Sequence, residues 1–296
     1  FSIYRSQDST GDCEVTVYPV FSGIELVYYD VHMQSCDINL AKGREMLIIT
    51  HCQEGRIEFE YKNGEYLYLA SGDLSIQKNT ENIRHRYCPL SHYHGVSVAI
   101  DMNRVPRCFS CILDDVFVSP EELEMKFCSE KPYSIMRENI SIEHIFSELY
   151  SVPENIRKGY HKVKVLELLL FLSGLEYKGE SEERRYFSRS QVTAAKEAKK
   201  YLLAHLDEHI TITELADMLG ISSTSLKICF KGVYGDTING YITNCKMQKA
   251  ASLLKNTDKS VLEIAGIVGY NNGSKFAGAF RRVMNKSPNE YRKSLV

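Results

Sequence analysis

The chain has 296 residues, of which 44% are hydrophobic and 25% are charged, a composition and length typical of a globular protein with two domains. Its charge is divided unevenly: residues 187–296 carry 16 Lys and Arg against 9 Asp and Glu, a net charge of +7, whereas residues 1–186 carry 20 against 29, a net charge of −9. A basic half joined to an acidic half indicates that only the basic half contacts a polyanion.

The sequence also argues against membrane insertion and against a disulfide framework. No stretch approaches the roughly eighteen apolar residues of a membrane span, and the first five residues lack the pattern of a signal peptide. We therefore expect a cytoplasmic protein with no membrane partner. The nine cysteines are an odd number scattered along the chain, so reduced and mostly buried thiols are expected.

Residues 15–101 have the pattern of a β-rich domain. They are rich in Val, Ile and Tyr, often alternate apolar with polar side chains, and are divided by turn sequences at 62–65 and 71–73. This spacing predicts a small antiparallel barrel or double sheet. The predicted strands are 14–18, 24–29, 46–50, 56–61, 66–69, 74–76 and 95–100.

After Ser119-Pro120 the apolar pattern becomes helical. Residues 141–150 and 156–177 form two amphipathic segments. The apolar face expected for the second segment consists of Val163, Leu166, Leu169, Leu170 and Leu175. It has more apolar positions than one core-facing stripe requires, so we expect a dimer contact there. Residues 178–189 are charged and lack a periodic apolar face, which places a linker between the two domains.

The remaining sequence predicts helices throughout. The first is 191–206, and the next, 214–219, is expected to be capped by Thr213 and ended by Gly220. A third helix, 223–234, turns Leu226 and Phe230 into a core. Two helices joined by a short turn that contains Gly are typical of a helix-turn-helix.

The same layout then occurs a second time. Residues 264–270 match residues 215–221 at an offset of 49, and Phe276 and Phe280 match Leu226 and Phe230 at an offset of 50. A longer helix, 237–254, joins the two units. Its expected buried residues are Ile238, Tyr241, Ile242, Cys245, Leu253 and Leu254. The predicted fold class is α+β, with a β-barrel followed by helices and then an all-α domain of two helix-turn-helix units on a linker helix.

Many fixed spacings connect the apolar and basic positions of this all-α domain. They involve Leu215-Ala216, Gly220-Ile221-Ser222, Leu226, Phe230-Lys231, Lys246-Met247, Ala250, Leu253-Leu254, Ile264-Ala265, Gly269-Tyr270 and the closing run Phe276, Phe280-Arg281-Arg282, Asn285, Pro288, Tyr291-Arg292. In these residues the chain resembles the AraC/XylS family of transcription regulators. Two positions depart from the family pattern. Asn285 stands where Gly is usual, and Asn is the next-best residue for a left-handed helix C-cap. Lys246 replaces the more frequent Arg, which argues against a bidentate contact there.

The resemblance implies a domain division and a function. Residues 1–180 look like a cupin-like sensing and dimerisation domain, and residues 187–296 like an AraC-type DNA-binding domain. A sequence-specific regulator is implied, one that activates transcription in response to a ligand. The implied partners are double-stranded DNA, a small-molecule effector in the N-terminal domain, a second copy of the chain and RNA polymerase. No catalytic role and no cofactor come with the resemblance. Two alternatives stay open: control by a protein partner, and a metal-dependent cupin enzyme fused to a DNA-binding module.

The residues expected to contact DNA lie on the second helix of each unit, because the N-terminal turns of a recognition helix enter the major groove. In the first unit they are Ser222, Ser223, Thr224, Ser225, Lys227 and Lys231, and in the second Asn272, Ser274, Lys275, Arg281, Arg282 and Lys286. Lys227 is the best candidate for reading guanine and Thr224 for a hydroxyl or thymine-methyl contact. Arg281, Arg282 and Lys286 are assigned to phosphates.

Two groups of residues raise the question of a metal. His92 and His94 are two residues apart, a spacing that puts both imidazoles on one face of a strand, and His85 lies nearby. No Glu follows at metal-site spacing, so structural or ligand-contacting histidines are expected. Cys108 and Cys111 have the spacing of half a zinc site but lack a second pair. We therefore expect no metal at either place.

Overall fold

The computed structural model describes residues 1–36, 43–78, 82–106, 118–137, 140–177 and 187–294. The chain divides into two compact units, Phe1–Tyr186 and Phe187–Val296. In the described ranges the first unit combines an antiparallel sheet with helices, and the second consists of helices. No helix in the described ranges of either unit is long and apolar enough to cross a membrane.

In the described residues the sheet of the first unit has nine strands, and its presence confirms the predicted β-rich region. The strands are β1 (Ser2–Asp8), β2 (Gly11–Phe21), β3 (Ile24–His32), β4 (Met46–Tyr61), β5 (Tyr66–Ala70), β6 (Leu74–Lys78), β7 (Ile83–Tyr87), β8 (Tyr93–Asp101) and β9 (Tyr133–Met136). They pair in the order β1-β2-β3-β8-β4-β6-β9, with β5 and β7 also pairing with β4. Within the described ranges β1 and β9 end this path without pairing with each other, so closure into a barrel stays a prediction.

Alternation of side chains explains why these segments form strands. In β2 the buried residues Cys13, Val15 and Val17 alternate with more exposed neighbours, as expected when one face is packed. Strand β8 is different, because it lies between β3 and β4 and is buried at almost every position. Strand β4 bends at a register shift between Cys52 and Glu54.

Three helices of the described ranges pack against one side of the sheet: α1 (Pro120–Cys128), α2 (Ile140–Leu149) and α3 (Arg157–Gly174). The predicted apolar face of α3 was wrong in part, since Val163 is 62% exposed. The buried stripe is Val165, Leu168, Leu169 and Leu172, which has the i, i+3, i+4, i+7 spacing of a single helix face. The predicted stripe began two residues early and mixed two faces.

The second unit contains seven helices in its described residues. They are α4 (Arg189–Ala204), α5 (Ile212–Met218), α6 (Ser223–Tyr234), α7 (Ile238–Asn256), α8 (Val261–Ile267), α9 (Gly273–Met284) and α10 (Pro288–Lys293). The prediction that Thr213 caps the second of these was wrong. Thr211 is the cap, because its hydroxyl accepts from the Glu214 backbone N–H while the Glu214 carboxylate accepts from the Thr211 backbone N–H.

Helix α7 connects the two halves of the second unit, and its buried face differs from the predicted one. Tyr241, Ile242, Cys245 and Leu253 are half-buried, whereas Ile238, Met247, Ala250, Ala251 and Leu254 are buried. The C-terminal part of the helix packs with α8 and α9 around Ile264, Phe276 and Phe280. The small side chains of Ala250 and Ala251 allow that close packing. They were not among the predicted buried residues, because alanine contributes little apolar area and is a weak signal in the apolar pattern.

Candidate nucleic-acid interface

The first helix-turn-helix unit consists of α5, α6 and the turn between them. Its four anchoring side chains are at most 1% exposed: Leu215, Ala216, Leu226 and Phe230. Gly220 adopts a left-handed backbone with φ +66°, which reverses the chain immediately after α5. The backbone N–H of the next residue, Ile221, donates to the Ala216 carbonyl oxygen at 3.1 Å and closes the turn.

The second unit, α8 and α9, repeats this construction. Gly269 has φ +76°, and the Tyr270 backbone N–H donates to the Ala265 carbonyl oxygen at 2.8 Å. The equivalent bond in the first unit is 49 residues earlier, so the repeat seen in the sequence extends to individual hydrogen bonds.

The two recognition helices, α6 and α9, also begin and end alike. Ser222 and Asn272 are their N-caps, each accepting a hydrogen bond from the backbone N–H three residues later. Gly235 and Asn285 are their C-caps, both in the left-handed region with φ 82° and 57°. The prediction that Asn285 serves as a left-handed C-cap is therefore confirmed. Matching caps present equivalent helix faces to solvent in the two units.

The candidate DNA contacts of the first unit differ in how free their side chains are. Thr224, Lys227 and Lys231 are exposed on α6. The Ser222 hydroxyl caps the helix. The Ser225 hydroxyl accepts a hydrogen bond from the side-chain amide of Gln191 on α4 at 3.2 Å. Ser223 is half-buried. Near the start of α6, Thr224 and Lys227 are therefore the two candidates whose side chains are exposed and do not cap the helix. Gln191 orients α6 through its bond to Ser225, and this role of Gln191 was not predicted from the sequence.

The candidates of the second unit form an exposed basic surface. Ser274 and Lys275 lie in the first turn of α9, while Arg281 and Arg282 lie in its last turn and Lys286 follows the C-cap. All five side chains are exposed. The remaining candidate, Asn272, uses its side-chain oxygen to accept from the Lys275 backbone N–H at 3.0 Å. The basic side chains thus sit at both ends of α9, where a helix lying in a groove passes the two phosphate backbones.

Lys246 is not part of this exposed surface. Its ammonium nitrogen lies 5.7 Å from the centre of the Tyr270 ring, and burial lowers the pKa of its amine. This contact ties the linker helix α7 to the turn of the second unit. A lysine is suited to it because a compact point charge fits over a ring face.

The three histidines considered as metal ligands in the first unit, His85, His92 and His94, do not lie together. His85 is exposed on β7, whereas His92 and His94 lie close to another histidine, His32. A carboxylate accompanies His92 and His94, since Glu54 Oε2 is 3.2 Å from His92 Nε2. Glu54 comes from another strand, so spacing along the sequence did not reveal it. Cys108 and Cys111 lie outside the described residues.

Comparison with known proteins agrees with this geometry. A family model described as a helix-turn-helix domain matches residues 215–294. The xylose operon regulatory protein of Escherichia coli is 31% identical over 153 residues, covering 49% of this chain and 39% of that protein. The melibiose operon regulatory protein of the same organism is 30% identical over 93 residues, 31% of each chain. The chain therefore spans well under half the length of these curated relatives.

Solved structures similar to this chain include the C-terminal domain of AraT, a response regulator from Geobacillus stearothermophilus. It is 32% identical, and the match covers 34% of this chain and 84% of that one with a TM-score of 0.34. ToxT from Vibrio cholerae is 15% identical over 96% of this chain and 99% of its own, with a TM-score of 0.31.

Two tandem helix-turn-helix units on one linker helix, with basic side chains along the second helix of each, define a DNA-binding domain. Residues 215–294 match the helix-turn-helix family model, and the chain carries an AraC-type DNA-binding domain there.

Proposed function

We propose that both helix-turn-helix units bind a single asymmetric DNA site and that the chain regulates transcription from it. The observation that carries this proposal is the equivalence of the two units in turn, N-cap and C-cap, on either side of one uninterrupted helix. Helix α7 has 19 residues, which at about 1.5 Å per residue gives a rod of roughly 28 Å. Successive major grooves on one face of DNA are about 34 Å apart. A rod of this length suits two recognition helices in neighbouring grooves.

The two units are proposed to divide the work of recognition. Thr224 and Lys227 on α6 read base edges, since both are exposed near the start of the helix and Lys227 can donate to guanine O6 and N7. In the second unit Arg281, Arg282 and Lys286 bind phosphates, and Ala277 and Gly278 offer close approach with little direct reading. The net charge of +7 on residues 187–296 supplies the attraction that does not depend on sequence.

The first unit is proposed to be the sensing and dimerisation part of an activator that contacts RNA polymerase in the cytoplasm. A cavity of about 160 Å³ supports a small polar effector. It is lined by His51, Gln53, Glu143 and Tyr150 among others. The His51 Nδ1 atom is 3.1 Å from the Tyr150 hydroxyl, and its Nε2 atom is buried without a hydrogen-bond partner in the described part of the chain. A polar cavity lined by a histidine whose ring nitrogen is left unsatisfied supports the proposal of a ligand site in this unit.

The experiment that tests the DNA-binding proposal uses residues 187–296 alone. Because both units, the linker helix and the positive charge lie there, this fragment is expected to fold and to bind duplex DNA. Binding should weaken steeply as salt is raised, and the fragment should bind random DNA more tightly at low salt than the full chain does, since the net −9 portion has been removed. A fragment that is folded by circular dichroism but has no salt-dependent DNA affinity would contradict the proposal.

A further inference from the structure

Three histidines and two carboxylates meet on one face of the sheet where β3, β8 and β4 lie side by side. The strand register places Asp30 of β3 opposite His94 of β8, and Glu54 of β4 opposite His94 from the other side. His32 is two residues after Asp30 and His92 is two residues before His94, so all four point to the same face. The backbone pairing of three adjacent strands thus brings these side chains together.

The donor atoms of this cluster lie within a few ångströms of one another. Asp30 Oδ1 is 2.9 Å from His32 Nε2 and 2.8 Å from His94 Nε2, and these two nitrogens are 3.4 Å apart. Glu54 Oε2 is 3.2 Å from His92 Nε2 and 3.7 Å from His94 Nδ1. His92 Nδ1 is 3.4 Å from His32 Nδ1. One nitrogen from each histidine can be chosen so that all three lie within 4.8 Å of one another.

The separation between two of the histidine nitrogens matches the spacing of ligands around a small metal ion. Two imidazole nitrogens bound tetrahedrally to zinc at about 2.0–2.1 Å are roughly 3.4 Å apart. His32 Nε2 and His94 Nε2 have this separation already, with the Asp30 carboxylate oxygen as a third donor beside both. Binding of an ion would require the other side chains to rotate about their strands until their donors point at the same centre.

Charge and donor type indicate which ion the cluster takes. With neutral histidines the two carboxylates give the group a charge of −2, which a divalent cation neutralises. Imidazole nitrogens mixed with carboxylate oxygens favour first-row transition ions such as zinc, cobalt and nickel, whereas magnesium and calcium prefer oxygen alone. The side chains of His32, His92 and His94 are 49%, 36% and 30% exposed. An ion can therefore enter from solvent and keep a water ligand.

We propose that His32, His92 and His94, together with Asp30 and Glu54, bind a divalent first-row transition metal ion. The ion joins three neighbouring strands at one end of the sheet of the first unit. This site is separate from the DNA-binding surface of the second unit and from the cavity at His51, and it requires neither.

The test titrates Zn²⁺ into the full-length, tag-free chain after treatment with a chelator, with calorimetry as the readout. Saturable binding of one ion per chain is expected. His94→Gln and His32→Gln should each weaken it by at least about tenfold, because each removes a ligand. His85→Gln is the matched control: this histidine is exposed on β7, away from the cluster, and its loss should leave affinity unchanged. Glu54→Gln keeps the shape of the side chain and removes the charge, and it should also weaken binding.

A second readout covers the case in which a histidine variant folds poorly. In the unmodified chain Co²⁺ should produce the visible absorption bands of a low-coordinate nitrogen and oxygen site, and Zn²⁺ should abolish them by competition. Zn²⁺ should also protect His32, His92 and His94, but not His85, from acylation by diethyl pyrocarbonate, as mapped by mass spectrometry. Absence of saturable binding, or binding and protection that do not involve these three histidines, overturns the proposal. Because no DNA is present, either result leaves the proposed function unaffected.

Discussion

Replacing the turn glycine of each helix-turn-helix unit by alanine is expected to destabilise the protein more at Gly269 than at Gly220. Both residues have left-handed backbones, with φ +76° and +66°. An alanine in this region costs roughly 1–2 kcal/mol. The loss is partly offset by about 0.4–1 kcal/mol, because alanine restricts the unfolded chain. Backbone strain alone therefore predicts a net loss of about 1 kcal/mol at either position.

The surroundings of the two glycines predict different losses in the free energy of unfolding. A Cβ atom on Gly220 would have nothing within 4 Å, whereas on Gly269 it would lie 2.7 Å from the Asp207 carbonyl oxygen and 3.0 Å from Lys246 Nζ. The lysine can move, but the carbonyl oxygen belongs to the backbone. Overpacking of this kind costs typically about 1–3 kcal/mol more. Gly269→Ala should therefore lower the free energy of unfolding by roughly 2–4 kcal/mol, against about 1 kcal/mol for Gly220→Ala.

Urea denaturation of the 187–296 fragment, followed by circular dichroism, measures both losses under the same conditions. Gly266→Ala is the matched control, since Gly266 lies in α8 with open space around a Cβ. It should stabilise the fragment by roughly 0.5–1 kcal/mol because alanine favours the helix. Equal losses at Gly220 and Gly269, or a smaller loss at Gly269, would refute the reasoning from close backbone contact.

Three other expectations concern DNA contacts, the oligomeric state and pH. Lys227→Ala should cost about 1–3 kcal/mol of DNA affinity and relax the preference for one or two base pairs. Arg281→Ala should weaken binding to all DNA sequences about equally and lower the slope of affinity against salt concentration by about one. Selection of binding sites from random DNA with each variant distinguishes these two roles, and the reverse pattern would mean that Lys227 binds phosphate and Arg281 reads bases. Val163→Glu, on the exposed side of α3, should give folded monomers in a sedimentation experiment. Leu169→Glu should instead unfold the first unit, because Leu169 is fully buried. If the Val163→Glu variant is folded and still dimeric, the dimer interface lies elsewhere. Burial lowers the pKa of His51 from 6.5 to about 4, so the folded state binds fewer protons than the unfolded state in this range. The free energy of unfolding should then fall by up to about 3 kcal/mol as pH is lowered from 6.5 to 4, a dependence that His51→Asn should reduce, and an unchanged dependence in that variant would contradict the assignment.

The features that could be predicted from the sequence are those set by nearby residues. The repeat at an offset of 49 to 50 predicted both turn glycines and the pairs Leu226 with Phe230 and Phe276 with Phe280, because a helix places residues four apart on one face. The N-cap of α5 was predicted at the wrong threonine. Thr211 and Thr213 are both plausible N-caps in isolation, and the reciprocal bonds of Glu214 favour Thr211.

The features that escaped prediction depend on contacts between distant parts of the chain. Glu54 and His94 are 40 residues apart in the sequence, and only the register of β4 on β8 makes them neighbours. Gln191 precedes Ser225 by 34 residues and touches it through the packing of α4 on α6. Periodicity and spacing along one segment carry no information about such pairings.

Both helix-turn-helix units are proposed to bind one asymmetric DNA site. Selection of binding sites for the full-length chain from random duplexes, followed by hydroxyl-radical footprinting on the selected site, tests it most directly. We expect two protected elements on one face of the DNA, about one helical turn or 10 base pairs apart. A Lys275→Ala, Arg281→Ala, Arg282→Ala triple variant should lose protection at only one of them. A single protected element, or a footprint that the triple variant leaves unchanged while it stays folded, would contradict binding of one site by both units.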